Sequence, residues 1–238
     1  MKLKDIKCAL CSNRSKSIFC NLAQKQINKL DSEKSVQRYE KGQIVFYDGN
    51  PAFAVYCIFS GLVKLFKTNR NGDQYIIRLL KSGDMLGYRA VLEGEFYTAT
   101  AEALEPTIVC TIPRERFFKI LEADRIASLC LLKKMAEEIR ISEEKMISHT
   151  QETVRQRTAR MLLYLIDRLE RKGKRSLSLK TPLLRVEMAQ IVGTTPETFS
   201  RTLHELDKLG IIKLTRTDIV IEKLDSLKNI VEEREKLT

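Results

Sequence analysis

Residues 185–210 read RVEMAQIVGTTPETFSRTLHELDKLG, and the fold of the whole carboxyl-terminal part turns on them. A short helix ends before Gly193 and a tight turn follows. Thr195 has the side chain of an N-cap, Pro196 suits the first helical position, and Glu197 falls in the first turn. Small Ala189 lets the two helices approach closely. Phe199, Leu203, Leu206 and Leu209 make one apolar face of the second helix, and Gly210 closes it. That leaves Glu197, Ser200, Arg201 and His204 facing outward. Beyond the helix, IIKLTRTDIVIE (211–222) predicts two short strands joined by Thr215–Asp218. Together these elements predict a winged helix-turn-helix. A helical pair used only for packing would leave the outward Glu-x-x-Ser-Arg unexplained.

The upstream half has a different period. Glycines at 42, 49, 61, 72, 83, 87 and 94 separate short β-branched and aromatic runs such as QIVFYD, AVYCIF and TIVCTI. Turn pairs recur at Asp48-Gly49, Asn71-Gly72 and Ser82-Gly83, so an all-β roll, sandwich or barrel is expected. After Pro113 a short helical segment, Glu115–Leu121, precedes a stretch from Ala123 to Arg171 free of Pro and Gly. Within it Leu132, Met135, Ile139, Ser142, Met146 and His149 recur at spacings of three and four between charged shoulders. A narrow seam of this kind predicts a two-stranded coiled coil and hence a homodimer, with a helix packed on its own β domain as the alternative. Ser142 and His149 weaken the seam, so the dimer it predicts is marginal and tunable. The expected architecture is α+β: a cysteine-bearing arm (1–25), a β-roll of jelly-roll type (26–122), a long dimerisation helix (123–150) and the winged helix-turn-helix (151–238).

Forty-two Lys and Arg against 31 Asp and Glu give a net charge of +11 and a pI near 9.4. Such an excess favours a polyanionic partner, nucleic acid before membrane. No apolar run approaches 18 residues, so no membrane span is expected, and MKLKDIKCAL lacks the apolar core of a secretory signal. The cytoplasm is the expected compartment. No phosphate-binding glycine loop or HExxH occurs, and the histidines are His149 and His204 alone, which predicts that the chain is not an enzyme.

Six cysteines in that compartment suggest ligands, redox centres or buried thiols before a disulfide frame. Three lie in CALCSNRSKSIFC, residues 8–20. Their spacing alone suits structural zinc, an iron–sulfur cluster or a metal-free thiol switch. A CxxC oxidoreductase would want the first thiol at a helix N-terminus following a strand, and seven residues before Cys8 are too few for that scaffold. Cys57, inside the apolar run Val55–Phe59, and Cys130 read as buried core thiols. His149 reads as an interface residue.

A β-roll, a long helix and a winged helix-turn-helix in this order resemble the Crp/Fnr family of bacterial transcription regulators. The likeness rests on GDMLG (83–87), YTATAEALEPTIVCTIP (97–113) and TTPETFSRTLHELDKLGII (194–212). It implies a homodimer with a sensory roll and a DNA-reading domain that works with RNA polymerase. The cyclic-AMP-binding branch carries an acid after the GDxxG-like turn and an arginine–serine pair near the next strand. Here those positions are Tyr88 and Tyr97-Thr98, and Arg89 has the wrong spacing to substitute, so cyclic AMP is not expected. The fumarate–nitrate reduction branch carries clustered cysteines before the roll and another in a strand ending Val-Cys-x-Ile-Pro, which matches Val109–Pro113. By that resemblance Cys8, Cys11, Cys20 and Cys110 hold a 4Fe–4S cluster that senses oxygen or nitric oxide, with zinc as the alternative. The C-x2-C-x8-C interval is longer than in the better-known members, and doubling a loop costs only about 0.6 kcal/mol in closure entropy. The resemblance also implies a TTGA-like inverted palindrome in double-stranded DNA. Arg201 would read guanine, Glu197 cytosine and Ser200 a thymine edge. Thr195, Thr198 and the wing residue Arg216 complete the expected DNA-contacting set.

Overall fold

The computed structural model describes residues 3, 6–19, 21–169, 178–179, 182–215 and 218–232. Cys20 and Arg216 lie outside the described residues. The chain divides into two compact units, residues 1–140 and 141–238.

In the first unit two short 3₁₀ turns, Cys8–Leu10 and Arg14–Lys16, lead into α1 (Gln24–Glu33). The strands that follow are β1 (Ser35–Tyr39), β2 (Ile44–Phe46), β3 (Ala54–Ser60), β4 (Leu62–Thr68), β5 (Gln74–Lys81) and β6 (Met85–Leu86). A short α2 (Tyr88–Glu93) precedes β7 (Thr100–Ala103) and β8 (Thr107–Pro113), and α3 (Arg114–Ala123) leads to α4 (Arg125–Gln151). The strands form two antiparallel four-stranded sheets, ordered β1-β8-β3-β6 and β2-β7-β4-β5, the expected β-roll. Apolar residues of both sheets meet in one core, which Ile27 and Leu30 of α1 and Phe117 and Ile120 of α3 cover from outside. Arg116 is buried between these helices, donating to the Gln26 carbonyl at 3.2 Å and lying 3.6 Å from the Glu33 carboxylate.

The uninterrupted helical stretch expected from Ala123 to Arg171 is broken. Asp124 restarts the chain at α4, its Oδ1 accepting from the Ala127 N–H at 2.9 Å. At the far end Thr153 caps α5 (Val154–Leu169): its Oγ1 accepts from the Gln156 N–H at 3.2 Å, and Gln156 Oε1 accepts from the Thr153 N–H at 2.9 Å. This reciprocal capping box is encoded by Thr-x-x-Gln, which needs neither Pro nor Gly to end a helix.

The apolar residues of α4 are divided between the core and the surface. Ala127 and Leu131 are buried on the roll, and Met135 packs partly against the same core instead of standing free in the seam. A separate stripe is exposed: Leu132 at 61%, Ile139 at 59% and Met146 at 70%, with Ser142 also on the surface.

In the second unit α5 is followed by β9 (Ser178–Leu179), α6 (Arg185–Val192), α7 (Pro196–Lys208), β10 (Ile212–Leu214), β11 (Ile219–Ile221) and α8 (Leu224–Glu232). The strands make a sheet ordered β10-β11-β9, so the expected two-stranded wing gains a third strand. Phe199, Leu203 and Leu206 are buried as expected, but Leu209 is 49% exposed. It lies past the last turn of α7 as the C-cap, and Thr202 joins the buried face instead. Among the described residues no helix is long and apolar enough to cross a membrane.

Candidate functional site

The second unit holds α7 by its start and its neighbours. Thr195 Oγ1 accepts from the Thr198 N–H at 3.3 Å, and Pro196 occupies the first turn. The preceding turn contains Gly193 at φ +70°, and a Cβ there would fall 2.6 Å from Cε1 of His149. Arg157 clamps this turn, donating through Nε to the Val192 carbonyl at 2.8 Å and through Nη1 to the Glu152 carbonyl at 2.6 Å. The wing is joined to α7 where Asp207 Oδ1 accepts from the Leu214 N–H at 2.9 Å.

On this rigid frame Glu197, Ser200, Arg201 and His204 are all exposed. Arg201 Nη2 donates to Thr198 Oγ1 at 3.1 Å, which orients the guanidinium along the helix surface. Backbone N–H groups at the helix start, with the Thr195 hydroxyl, hold the Glu197 carboxyl below its usual range. The helix thus presents an anion and a cation side by side, a pairing that suits a cytosine amine and a guanine edge.

In the first unit Cys8, Cys11, Cys57 and Cys110 line one cavity of about 60 Å³, with Lys34 and Asn13 among its walls. The arm is fastened beside it. The Cys8 N–H donates to Asp31 Oδ1 at 2.8 Å, and Asn13 Nδ2 donates to the Phe59 carbonyl at 2.8 Å. Buried Lys34 donates to Cys8 Sγ at 3.0 Å, to Asp31 at 2.6 Å and to the Ile6 carbonyl at 2.9 Å. Burial opposes the Lys34 ammonium, but hydrogen bonds to Asp31 and Cys8 outweigh it and its pKa lies above the ordinary value. Burial pushes the Cys8 thiol up, with Lys34 opposing, and pushes Cys110 up to about 11. Burial pushes Cys57 up further.

The thiols expected to act together are therefore brought together in part: Cys8 and Cys11 of the arm meet Cys110 of β8. Cys57 lines the same cavity and was not expected there. Its signal was the position of its strand beside β8, which no single segment reveals. All five described cysteines are free thiols. The donor set is soft sulfur, which suits zinc or an iron–sulfur cluster. Among the described residues no group of three His, Cys, Asp or Glu side chains is placed to hold a single metal ion. A tetrahedral zinc site needs its sulfurs within about 2.3 Å of one centre, whereas a cluster spreads them over a cube.

Tyr88 and Tyr97, at the positions that match the ligand contacts of the cyclic-AMP branch, fill the roll from within. Gly87, at φ +79°, turns the chain so that Tyr88 enters the core. Tyr97 is also buried, donating to the Ala54 carbonyl at 2.7 Å and stacking on Phe46 with centroids 4.1 Å apart. The cavity left between them is about 40 Å³. Ligand sites of this kind need about 300 Å³ or more. The residues present do not fit a cyclic nucleotide.

Two domain families match the chain in sequence: the cyclic nucleotide-binding domain over residues 36–124 and the Crp-like helix-turn-helix domain over residues 156–230. The chain belongs to the Crp/Fnr family. As a member of that family it is a transcription regulator and not an enzyme. Its relatives include the anaerobic regulatory protein of Haemophilus influenzae, 28% identical with 93% of this chain and 86% of the relative covered. The fumarate and nitrate reduction regulatory protein of Salmonella typhimurium is 26% identical, covering 93% and 89%. The transcriptional activator protein anr of Pseudomonas aeruginosa is 27% identical, covering 95% and 93%. Among solved structures, FixK2 from Bradyrhizobium japonicum matches at a TM-score of 0.74 and 27% identity, covering 83% of this chain and 96% of that one. Crp/Fnr regulators bind DNA, generally as dimers.

Proposed function

We propose that this Crp/Fnr regulator senses oxygen or redox state through a sulfur-ligated 4Fe–4S cluster and, as a homodimer, reads a TTGA-like inverted repeat. The observation that carries the sensing part is the convergence of Cys8 and Cys11, from the arm, on the cavity that Cys110 lines from the roll. Its relatives named as anaerobic regulators support the same reading. Cys8, Cys11, Cys20 and Cys110 would hold the group, and bound there it supplies oxygen-sensitive redox chemistry. Lys34 and Asp31 position the Cys8 thiol and place a positive charge beside the sulfur set. Ser17 and Phe19 of the arm and Cys57 of the roll line a second cavity with Cys130 and Lys134 of α4, which gives a change at the thiols a route to the helix that carries the exposed stripe.

On the DNA side Arg201 donates to guanine, Glu197 accepts from cytosine, and Ser200 meets a thymine edge, with Thr195, Thr198 and Arg216 on the phosphates. Leu132, Ile139, Ser142 and Met146 form the dimer seam, with half-buried Met135 at its edge. The division of labour is arm 1–25, roll 26–122, dimerisation helix 123–150 and DNA-binding domain 151–238, acting in the cytoplasm with RNA polymerase as the further partner.

The second reading is structural zinc, favoured by the all-sulfur donor set. Anaerobic purification with iron, zinc and acid-labile sulfide analysis separates the two. A brown protein carrying iron and sulfide that bleaches in air is expected; a colourless one with stoichiometric zinc overturns the cluster.

A further inference from the structure

Lys25 and Lys29 of α1 stand one turn apart, and Arg116 and Lys119 of α3 are likewise neighbours on one face of their helix. The two pairs line one recess of about 250 Å³, and no Asp or Glu is among its described walls. Neither helix gains from this arrangement by itself. Like charges four residues apart destabilise a helix. Lys25 also lies in the first turn of α1, where the helix dipole disfavours a cation and no acidic residue compensates. Lys25, Lys29 and Lys119 are exposed and have no ion-pair partner among the described residues. Arg116 is different, being only 6% exposed. Its Nη2 donates to the Gln26 carbonyl, but its Nε has no hydrogen-bond partner, since the Glu33 carboxylate stands 3.6 Å away. A buried guanidinium with bonding capacity left over is unfavourable until an anion completes it.

We propose that this recess binds a compact phosphate-bearing anion, held by buried Arg116 and by the three lysines around it. Arginine supplies a planar fork for phosphate oxygens, and the lysines supply point charges. The recess is smaller than the roughly 300 Å³ or more of a drug-sized site, which limits the ligand to a group such as phosphate or pyrophosphate. Bound there, the anion ties α1, whose Asp31 holds Cys8 of the arm, to α3, which leads into α4. The recess shares no residue with the thiol cavity and stands whether that cavity holds iron or zinc.

The test titrates pyrophosphate into the full-length chain by calorimetry at about 0.15 M salt, where diffuse surface attraction is screened. Saturable binding by wild type is expected, weakened about tenfold or more in K25A/K29A. R116K keeps the charge but loses the planar fork, and should also bind more weakly. K119A repeats the test from α3 if R116K does not fold. K67A/R70A removes the same charge from exposed positions on β4 and the turn after it, and should bind as wild type does. No saturable binding by wild type overturns the proposal. So does an equal loss in K67A/R70A, or undiminished binding in K25A/K29A or R116K. Polyglutamate binding that K25A/K29A abolishes and pyrophosphate does not displace would assign the recess to an acidic polypeptide and overturn it as well.

Discussion

Arg78 on β5 and Glu138 on α4 form an ion pair of 2.6 Å, with their side chains only 24% and 10% exposed. Burial works against the Arg78 guanidinium, but Glu138 more than offsets it and raises its pKa. The Tyr88 hydroxyl lies beside the pair, and burial together with the Glu138 carboxylate pushes its pKa up. This is a polar joint between roll and long helix in a region otherwise packed with hydrocarbon.

Removing one partner leaves a buried charge without its counterion, a loss of about 3–5 kcal/mol, whereas replacing both is far milder. R78M should therefore destabilise the first unit strongly, and R78M/E138L should recover most of the loss. Urea denaturation of the four members of the cycle measures it.

Gly193 carries a second constraint. An alanine there must hold a left-handed backbone, costing about 1–2 kcal/mol, and its Cβ would meet the His149 ring 2.6 Å away. G193A should lower the melting temperature of the DNA-binding unit, and G193A/H149A should restore the steric share but not the backbone share. Calorimetry of wild type, G193A and G193A/H149A separates the two.

The pH dependence of that unit follows from Glu152, whose carboxylate accepts from Ser148 and from both Nε and Nη2 of Arg160. Burial opposes the anion, but Arg160 and Ser148 prevail and its pKa lies below the ordinary 4.5. A carboxylate with a depressed folded pKa stabilises the fold above its unfolded value and loses that contribution as pH falls through the folded value. The stability gap between wild type and E152Q should thus be full at neutral pH, shrink below pH 4.5 and close in stronger acid. Denaturant titrations across that range check it.

At the recognition helix, R201A should cost about 1–3 kcal/mol on a TTGA palindrome and flatten the preference at the guanine. T198A, which removes the hydroxyl that orients Arg201, should cost less and keep the preference. Fluorescence anisotropy on matched and guanine-substituted duplexes distinguishes the two. Equal binding of R201A and wild type to the palindrome would sink the assignment.

Leu132, Ile139 and Met146 are seven residues apart on one exposed face of α4. I139E should shift sedimentation from dimer to monomer while circular dichroism stays unchanged. A dimer that survives I139E places the interface elsewhere.

How much of this was legible in the sequence follows from what is local. The α7 start was readable because Thr195, Pro196 and Glu197 act within one turn. The roll was readable because glycines and turn pairs recur at short spacing. The break at Thr153 was equally local, in Thr-x-x-Gln, but it was masked by the absence of Pro and Gly. Leu209 fits the helical period yet falls one residue beyond the helix, where period no longer sets direction. Cys57 was readable as a core thiol but not as the neighbour of Cys110, because that pairing joins strands whose residues lie 53 positions apart (57 to 110). The same holds for Glu138, which sits among charged shoulders in sequence and is claimed by Arg78 only once β5 and α4 pack.

Tyr88 and Tyr97 give the roll an occupant of its own, covalently attached and present at unit stoichiometry. The room left between them, about 40 Å³, is thereby set by the chain itself and does not vary with the supply of any small molecule.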